Sequence, residues 1–228
     1  MNMAIVLVGN IRTWNSCRNN FISVFGRYTP DVFIQTYDRQ YAYHPYIQKT
    51  LNFYEDTTLD AETIQEMFSG IKVSGLSINS IDSYVDTKVK PFISSKFPDG
   101  AHLSLSQYFS LHDALGMVRD MEDSANKKYD CIVKTRFDVI HNDFEVECSP
   151  HEICVDAHGA GVFPCDWTII ATRDNMLSVD EFIMSEIRDM RNESSLVDLP
   201  HKLFLNGMLS TGAKVRALPI IRGIVRAK

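Results

Sequence analysis

The sequence predicts an α/β fold in a single domain, with a mostly parallel central sheet flanked by helices and a more mixed C-terminal half. Three observations predict it. Ala4-Ile5-Val6-Leu7-Val8 is an unbroken apolar run that stops at Gly9-Asn10, as expected of a strand buried on both faces and closed by a turn. A helical stretch and a second apolar strand at 31–36 follow within about 35 residues, the size of a βαβ unit with a right-handed crossover. A long amphipathic segment then leads into another buried strand at 130–135, Asp-Cys-Ile-Val-Lys-Thr.

Taken in order, the first strand is followed by a helix capped by Asn15 or Ser16 and running to about Arg27. Pro30 precedes the second strand. Residues 39–60 read as irregular, with Tyr41, Tyr43, Tyr46 and Tyr54 among polar neighbours. Asp60 caps a helix from Ala61 to Phe68, Gly70 ends it, and Ile71-Lys72-Val73 forms a third strand. Residues 75–103, rich in Ser, Asp, Pro and Gly, read as a long loop. From about Ser104 to Asn126, Leu105, Tyr108, Phe109, Leu111, Leu115, Val118 and Met121 recur near helical spacing. Beyond Asp138 short strands are expected near 144–147 and 152–155. His158-Gly159-Ala160-Gly161 reads as a flexible loop and Trp167 to Ala171 as a strand. Helices are expected at 178–191 and 201–210, and strand material from Lys214 to Arg226, broken by Pro219 and Gly223.

Composition narrows the function classes. A chain of 228 residues, 45% hydrophobic, suits one domain with a full core. A formal net charge of -6 argues against a general nucleic-acid binder. Five cysteines without framework spacing fit a reducing compartment. No apolar run reaches the length of a membrane span, and Met3 to Val8 is too short for a signal sequence. The expectation is a soluble, cytoplasmic protein with no transmembrane segment. Asn192-Glu193-Ser194 fits a glycosylation sequon and is read as a chance match.

Four places carry residue types suited to chemistry. In Gly9-Asn10-Ile11-Arg12-Thr13, a turn after the first strand of an α/β sheet, Gly9 admits a phosphate close to the backbone. The following helix end supplies amide donors, and Arg12 adds a bidentate one. The plain alternative is a strand-to-helix turn with a solvated Arg. At Thr36-Tyr37-Asp38, Asp38 can accept hydrogen bonds from a ribose or base edge and Tyr37 can stack on a base. The alternative there is capping by Asp38. In Arg136-Phe137-Asp138, Asp138 is the candidate ligand for a hard divalent cation, and Arg136 can clamp a phosphate or do part of the cation's work. The alternative is an Arg–Asp pair that ties strand ends together. In Cys165-Asp166-Trp167, Asp166 is placed to act as a general base beside an aromatic sugar platform. The alternative is a turn residue next to a core Trp.

Three further features are weaker. Cys148, His151, Cys154, His158 and Cys165 fall close together, but their spacings match no zinc knuckle. Ser106 and Gln107 open the long helix, where they cap it or reach a donor sugar. Lys214, Arg216, Arg222, Arg226 and Lys228 suit a solvated edge strand more than a phosphate site.

Together the segments "AIVLVGNIRTWNSC", "DVFIQTYD", "YDCIVKTRFDVI", "DWTIIATRDNM" and "HKLFLNGMLSTGAKV" resemble small GT-A-type glycosyltransferases, similar to those of bacterial surface-polysaccharide loci and large algal viruses. The likeness spans nearly the whole chain and rests on the order and spacing of the segments. It implies a Rossmann-like domain whose residues 1–138 bind a nucleotide-diphosphosugar, commonly a UDP-sugar, and whose residues 139–228 face a glycan acceptor. It also implies a Mn or Mg ion, a host-cytoplasmic setting if viral, and Gly9, Arg12 and Asp38 lining the nucleotide site, with Asp166 near the acceptor. The metal motif of that family is Asp-x-Asp; here Arg136 stands at its first position and only Asp138 matches. Two rivals remain open: a catalytically idle GT-A-like module that binds glycan or protein, and a nucleotide hydrolase, which lacks a second acidic pair for two metals.

Overall fold

The computed structural model describes residues 1–11, 13–42, 52–92, 101–156, 165–189 and 199–225; at 40–42, 52–57, 101–104, 165–166 and 199–202 it describes the backbone alone. Seven strands form the central sheet: β1 (Met3–Val8), β2 (Asp31–Tyr37), β5 (Val73–Asn79), β6 (Cys131–Thr135), β8 (Glu152–Asp156), β9 (Cys165–Thr172) and β10 (Lys214–Leu218). Their order across the sheet is β5-β2-β1-β6-β9-β8-β10. The first four of these run parallel, β9 runs antiparallel to both β6 and β8, and β10 is parallel to β8. Counted along the chain, the sheet strands therefore lie third, second, first, fourth, sixth, fifth, seventh, with the sixth reversed. The parallel first half and the mixed second half agree with the sequence expectation, as does the Rossmann-like α/β class.

Helices cover both faces. On one face α1 (Trp14–Phe25) and α2 (Ala61–Met67) pack through Trp14, Phe21, Ile64 and Phe68 onto Ile5, Leu7, Ile34 and Val133. On the other, α4 (Ala101–Ala125), α5 (Arg173–Asp189) and α6 (Leu199–Ser210) pack onto Val6, Phe33, Ile132 and Ile169. Every residue of β1 is buried, which is why an unbroken apolar run marks it. The Glu122 carboxylate, on α4, takes the Arg173 guanidinium and the Tyr129 amide, and so holds the end of α4 against the start of α5.

Several boundaries differ from expectation. Helix α1 starts at Trp14, with Thr13 rather than Asn15 or Ser16 at its cap, and a 3-10 turn, Gly26–Tyr28, follows it. Residues 39–60 are not all irregular: β3 (Arg39–Ala42) and β4 (Asn52–Thr58) form an antiparallel pair. The third strand of the parallel half begins at Val73 and continues through Ser74 to Asn79, where polar composition suggested loop. An edge strand needs no apolar run, because one of its sides has no neighbour strand. Gly75 permits the close packing there: a Cβ would lie 2.8 Å from the Phe33 ring and 3.3 Å from Met117. After it come α3 (Ile81–Tyr84) and a π-helical turn, Val85–Val89. No strand forms at 144–147; β7 (Val139–His141) instead pairs antiparallel with β11 (Ile221–Ile224). Helix α5 begins directly after β9, five residues ahead of the expected start. The loop at His158–Gly161 and the sequon at Asn192 lie outside the described residues.

Cys131 and Cys148 form a disulfide, while Cys17 and Cys154 are buried thiols. The Cys131–Cys148 bond departs from the expectation of a reducing compartment, because two cysteines 17 positions apart are brought together by the fold without any framework spacing. No helix among the described residues is long and apolar enough to cross a membrane.

Candidate functional site

The parallel strands β5, β2, β1 and β6 end along one edge of the sheet. Register aligns Val8 with Gln35 and Leu7 with Thr135, so the turns after β1, β2 and β6 are neighbours. Between β1 and β6 the chain order reverses direction, the place where α/β sheets open a crevice.

The turn after β1 is pinned to β2. The Gly9 amide donates to the Gln35 carbonyl at 3.1 Å, and the Thr36 hydroxyl donates to the Gly9 carbonyl at 2.8 Å. Gly9 has φ +107°, which suits glycine, and a Cβ there would meet nothing within 4 Å, so the turn is open beside it. Thr13, 6% exposed, makes no capping bond, and its hydroxyl has no hydrogen-bond partner among the described residues. The first turn of α1 holds no acidic residue, so its amide end keeps its positive character. Arg12 lies outside the described residues.

The tail of β2 serves the scaffold. The Tyr37 ring is buried, meets Tyr84 edge-on at 5.6 Å and bonds Ser110 at 2.9 Å through its hydroxyl. That position departs from the expected stacking on a base: alternation along β2 turns Tyr37 to the α4 face, with Phe33. Asp38 is half-buried and accepts from the Ile81 amide at 3.1 Å, the capping role given as its alternative. Ser106 also bonds Tyr37, which places it in this packed network under α4.

Past the end of β6, Arg136 and Asp138 form a bidentate pair: Nε to Oδ1 at 2.9 Å and Nη2 to Oδ2 at 2.6 Å. The Asp138 side chain is 6% exposed and that of Arg136 27%. Between them Phe137 is buried against Trp14 and Phe68, with ring centroids 6.2 and 6.3 Å apart. Trp14 stacks on Phe68 at 4.2 Å. This aromatic cluster bolts the corner to α1 and α2, and the Val225 amide closes it by donating to the Asp138 carbonyl at 2.8 Å. Burial and the Asp138 carboxylate push the Cys17 thiol up to about 11, and Trp14 of α1 meets the Phe137 ring edge-on. The first turn and the 136–138 corner thus meet at one place.

Antiparallel register pairs Lys134 with Ile169, so the strand end carrying Asp166 runs past the end of β6 to the same edge. The Asp166 side chain lies outside the described ones; Trp167 is half-buried against the α1-side core. Of the zinc candidates, Cys148 is bonded to Cys131, and among the described residues no three His, Cys, Asp or Glu side chains group as a metal site. In the C-terminal basic stretch, β10 is the outer strand and Arg216 pairs with Glu152 at 3.5 Å.

The fit of a divalent ion is tested by Asp138. Both of its oxygens are engaged by a guanidinium, and the position of the first motif carboxylate is that same cation. A carboxylate so engaged, next to a fixed positive charge, does not fit a divalent cation.

Three buried polar residues have no role assigned from the sequence. Gln35 is fully buried, and both its amide atoms lack a partner among the described residues. Lys134 is buried with its ammonium 5.4 Å from the Phe204 ring centroid. His141 bonds Thr135 at 3.1 Å, and burial holds its pKa down to about 4. A polar residue inside an apolar strand was the available signal for Gln35 and Lys134; Thr13 belongs to the candidate segment 9–13, where its hydroxyl was given no role.

No protein-family model matches this chain, and no curated protein matches it.

Proposed function

We propose that the protein is a GT-A-type glycosyltransferase that moves a sugar from a nucleotide-diphosphosugar, a UDP-sugar being the first candidate, to a hydroxyl of a glycan acceptor. One observation carries the reading: the open Gly9 turn, the amide end of α1 and the Arg136–Asp138 corner meet at the C-terminal edge of the parallel strands. Amide donors, a helix dipole and a guanidinium are what a diphosphate requires. The parallel half of the sheet followed by a reversed strand also agrees with the resemblance drawn from the sequence.

In this reading the diphosphate lies across the turns after β1 and β6, and the acceptor enters from the side of β9. Asp166 takes the proton from the acceptor hydroxyl as it attacks the anomeric carbon, and the nucleoside diphosphate leaves. That single displacement inverts the anomeric centre; were no base to sit at 166, a retaining transfer would be the reading to test first. The test is transfer or hydrolysis with a panel of nucleotide sugars, read as release of nucleoside diphosphate. Activity with one donor and its loss in Arg136→Gln is the expected outcome. Release of inorganic phosphate instead marks a hydrolase.

A second reading is favoured by the closed Arg136–Asp138 pair: an idle GT-A-like module that binds glycan or protein. Calorimetry with UDP separates the two, since an idle module need not bind it.

A further inference from the structure

We infer that this site holds the donor's diphosphate through hydrogen bonds from the chain's own Arg136, oriented by Asp138, and works without a divalent cation. The inference rests on the transferase reading and deepens it. Asp138 spends both oxygens on one guanidinium, at 2.9 and 2.6 Å, and is itself almost sealed from solvent. Arg136 is the more exposed partner of the pair, at 27% against 6% for Asp138. A divalent ion approaching Asp138 meets a positive charge where the resemblance leads one to expect a second carboxylate. A diphosphate approaching the same place meets a fork whose plane is already fixed.

Asp138 is then a positioning residue. It orients Arg136, and the Phe137 ring, buried against Trp14 and Phe68, keeps the corner from swinging away. A preset fork loses less side-chain entropy on binding an anion than a mobile one. Thr13 supplies an independent observation. Its hydroxyl is buried at the start of α1 and has no partner among the described residues, which is costly unless something accepts from it. A phosphate oxygen at that helix end meets the need, with the α1 amides beside it.

The experiment is calorimetric titration of the full chain with UDP, GDP, ADP and CDP, once in EDTA and once in Mn, with thermal melting as the folding control. The expected result is binding of at least one nucleotide with affinities in the two buffers within about threefold. In EDTA, Arg136→Gln weakens it at least tenfold, Arg136→Lys less, and Thr13→Val severalfold. Arg136→Asp, which writes an Asp-x-Asp motif at 136–138, abolishes binding in EDTA and restores it in Mn. Wild-type binding that needs Mn overturns the inference and leaves the transferase reading standing. Unchanged affinity in a folded Arg136→Gln variant also overturns it. No binding of any nucleotide in either buffer overturns both.

Discussion

Gly9 and His141 show how single residues set the properties of this edge. At φ +107° Gly9 occupies a backbone region that a side chain penalises, although space beside it is open. Gly9→Ala is therefore expected to cost about 1–2 kcal/mol through the backbone alone, lowering the melting temperature by roughly 2–8 °C for a chain of this length. An unchanged melting temperature contradicts the assigned conformation. His141 is buried, and burial holds its pKa near 4, below the ordinary 6.5. The unfolded chain thus binds a proton at a pH where the folded one does not. The stability that this produces is complete above pH 6.5 and is lost as the pH falls toward 4. Urea unfolding across that window tests it: His141→Leu flattens the pH dependence, and a slope identical to the wild type removes His141 as its source.

Among elements, the corner after β6 is held by aromatic packing and by a covalent tie. Phe137→Ala empties the space between Trp14 and Phe68 and is expected to cost about 3–5 kcal/mol, as large-to-small core changes of Phe do. A loss under about 1 kcal/mol in urea unfolding contradicts the packing described. The Cys131–Cys148 disulfide closes a loop across 17 residues, so a reductant is expected to remove roughly 3 kcal/mol of stability. Alkylation of all five cysteines in denaturant without reductant contradicts the bond. Elements buried on both faces were legible in the sequence: β1, β2 and β6 are apolar because no side of them meets water. Strand β5 was not, because its partly exposed positions are written in Ser and Gly and only its pairing with β2 makes it a strand. The α2 start was legible because Asp60 does what a cap does, accepting from the Thr63 amide at 2.8 Å.

At the scale of the whole molecule, the sheet brings residues separated by about 130 positions to one edge, and pattern alone forecast that gathering. Parallel strands joined by helices must end on the same side, so Gly9, Asp38 and Arg136–Asp138 had to be neighbours. Which side chains face the crevice was not legible. Tyr37 is turned into the α4 core by the pleat, Asp38 is spent on a helix start, and Thr13 gains its interest only from the lack of a partner. The most direct measurement is hydrogen exchange with and without a bound nucleotide sugar. Added donor is expected to slow exchange at the amides of 9–15 and 136–139 together. A donor that binds with protection elsewhere, leaving both segments unchanged, contradicts it.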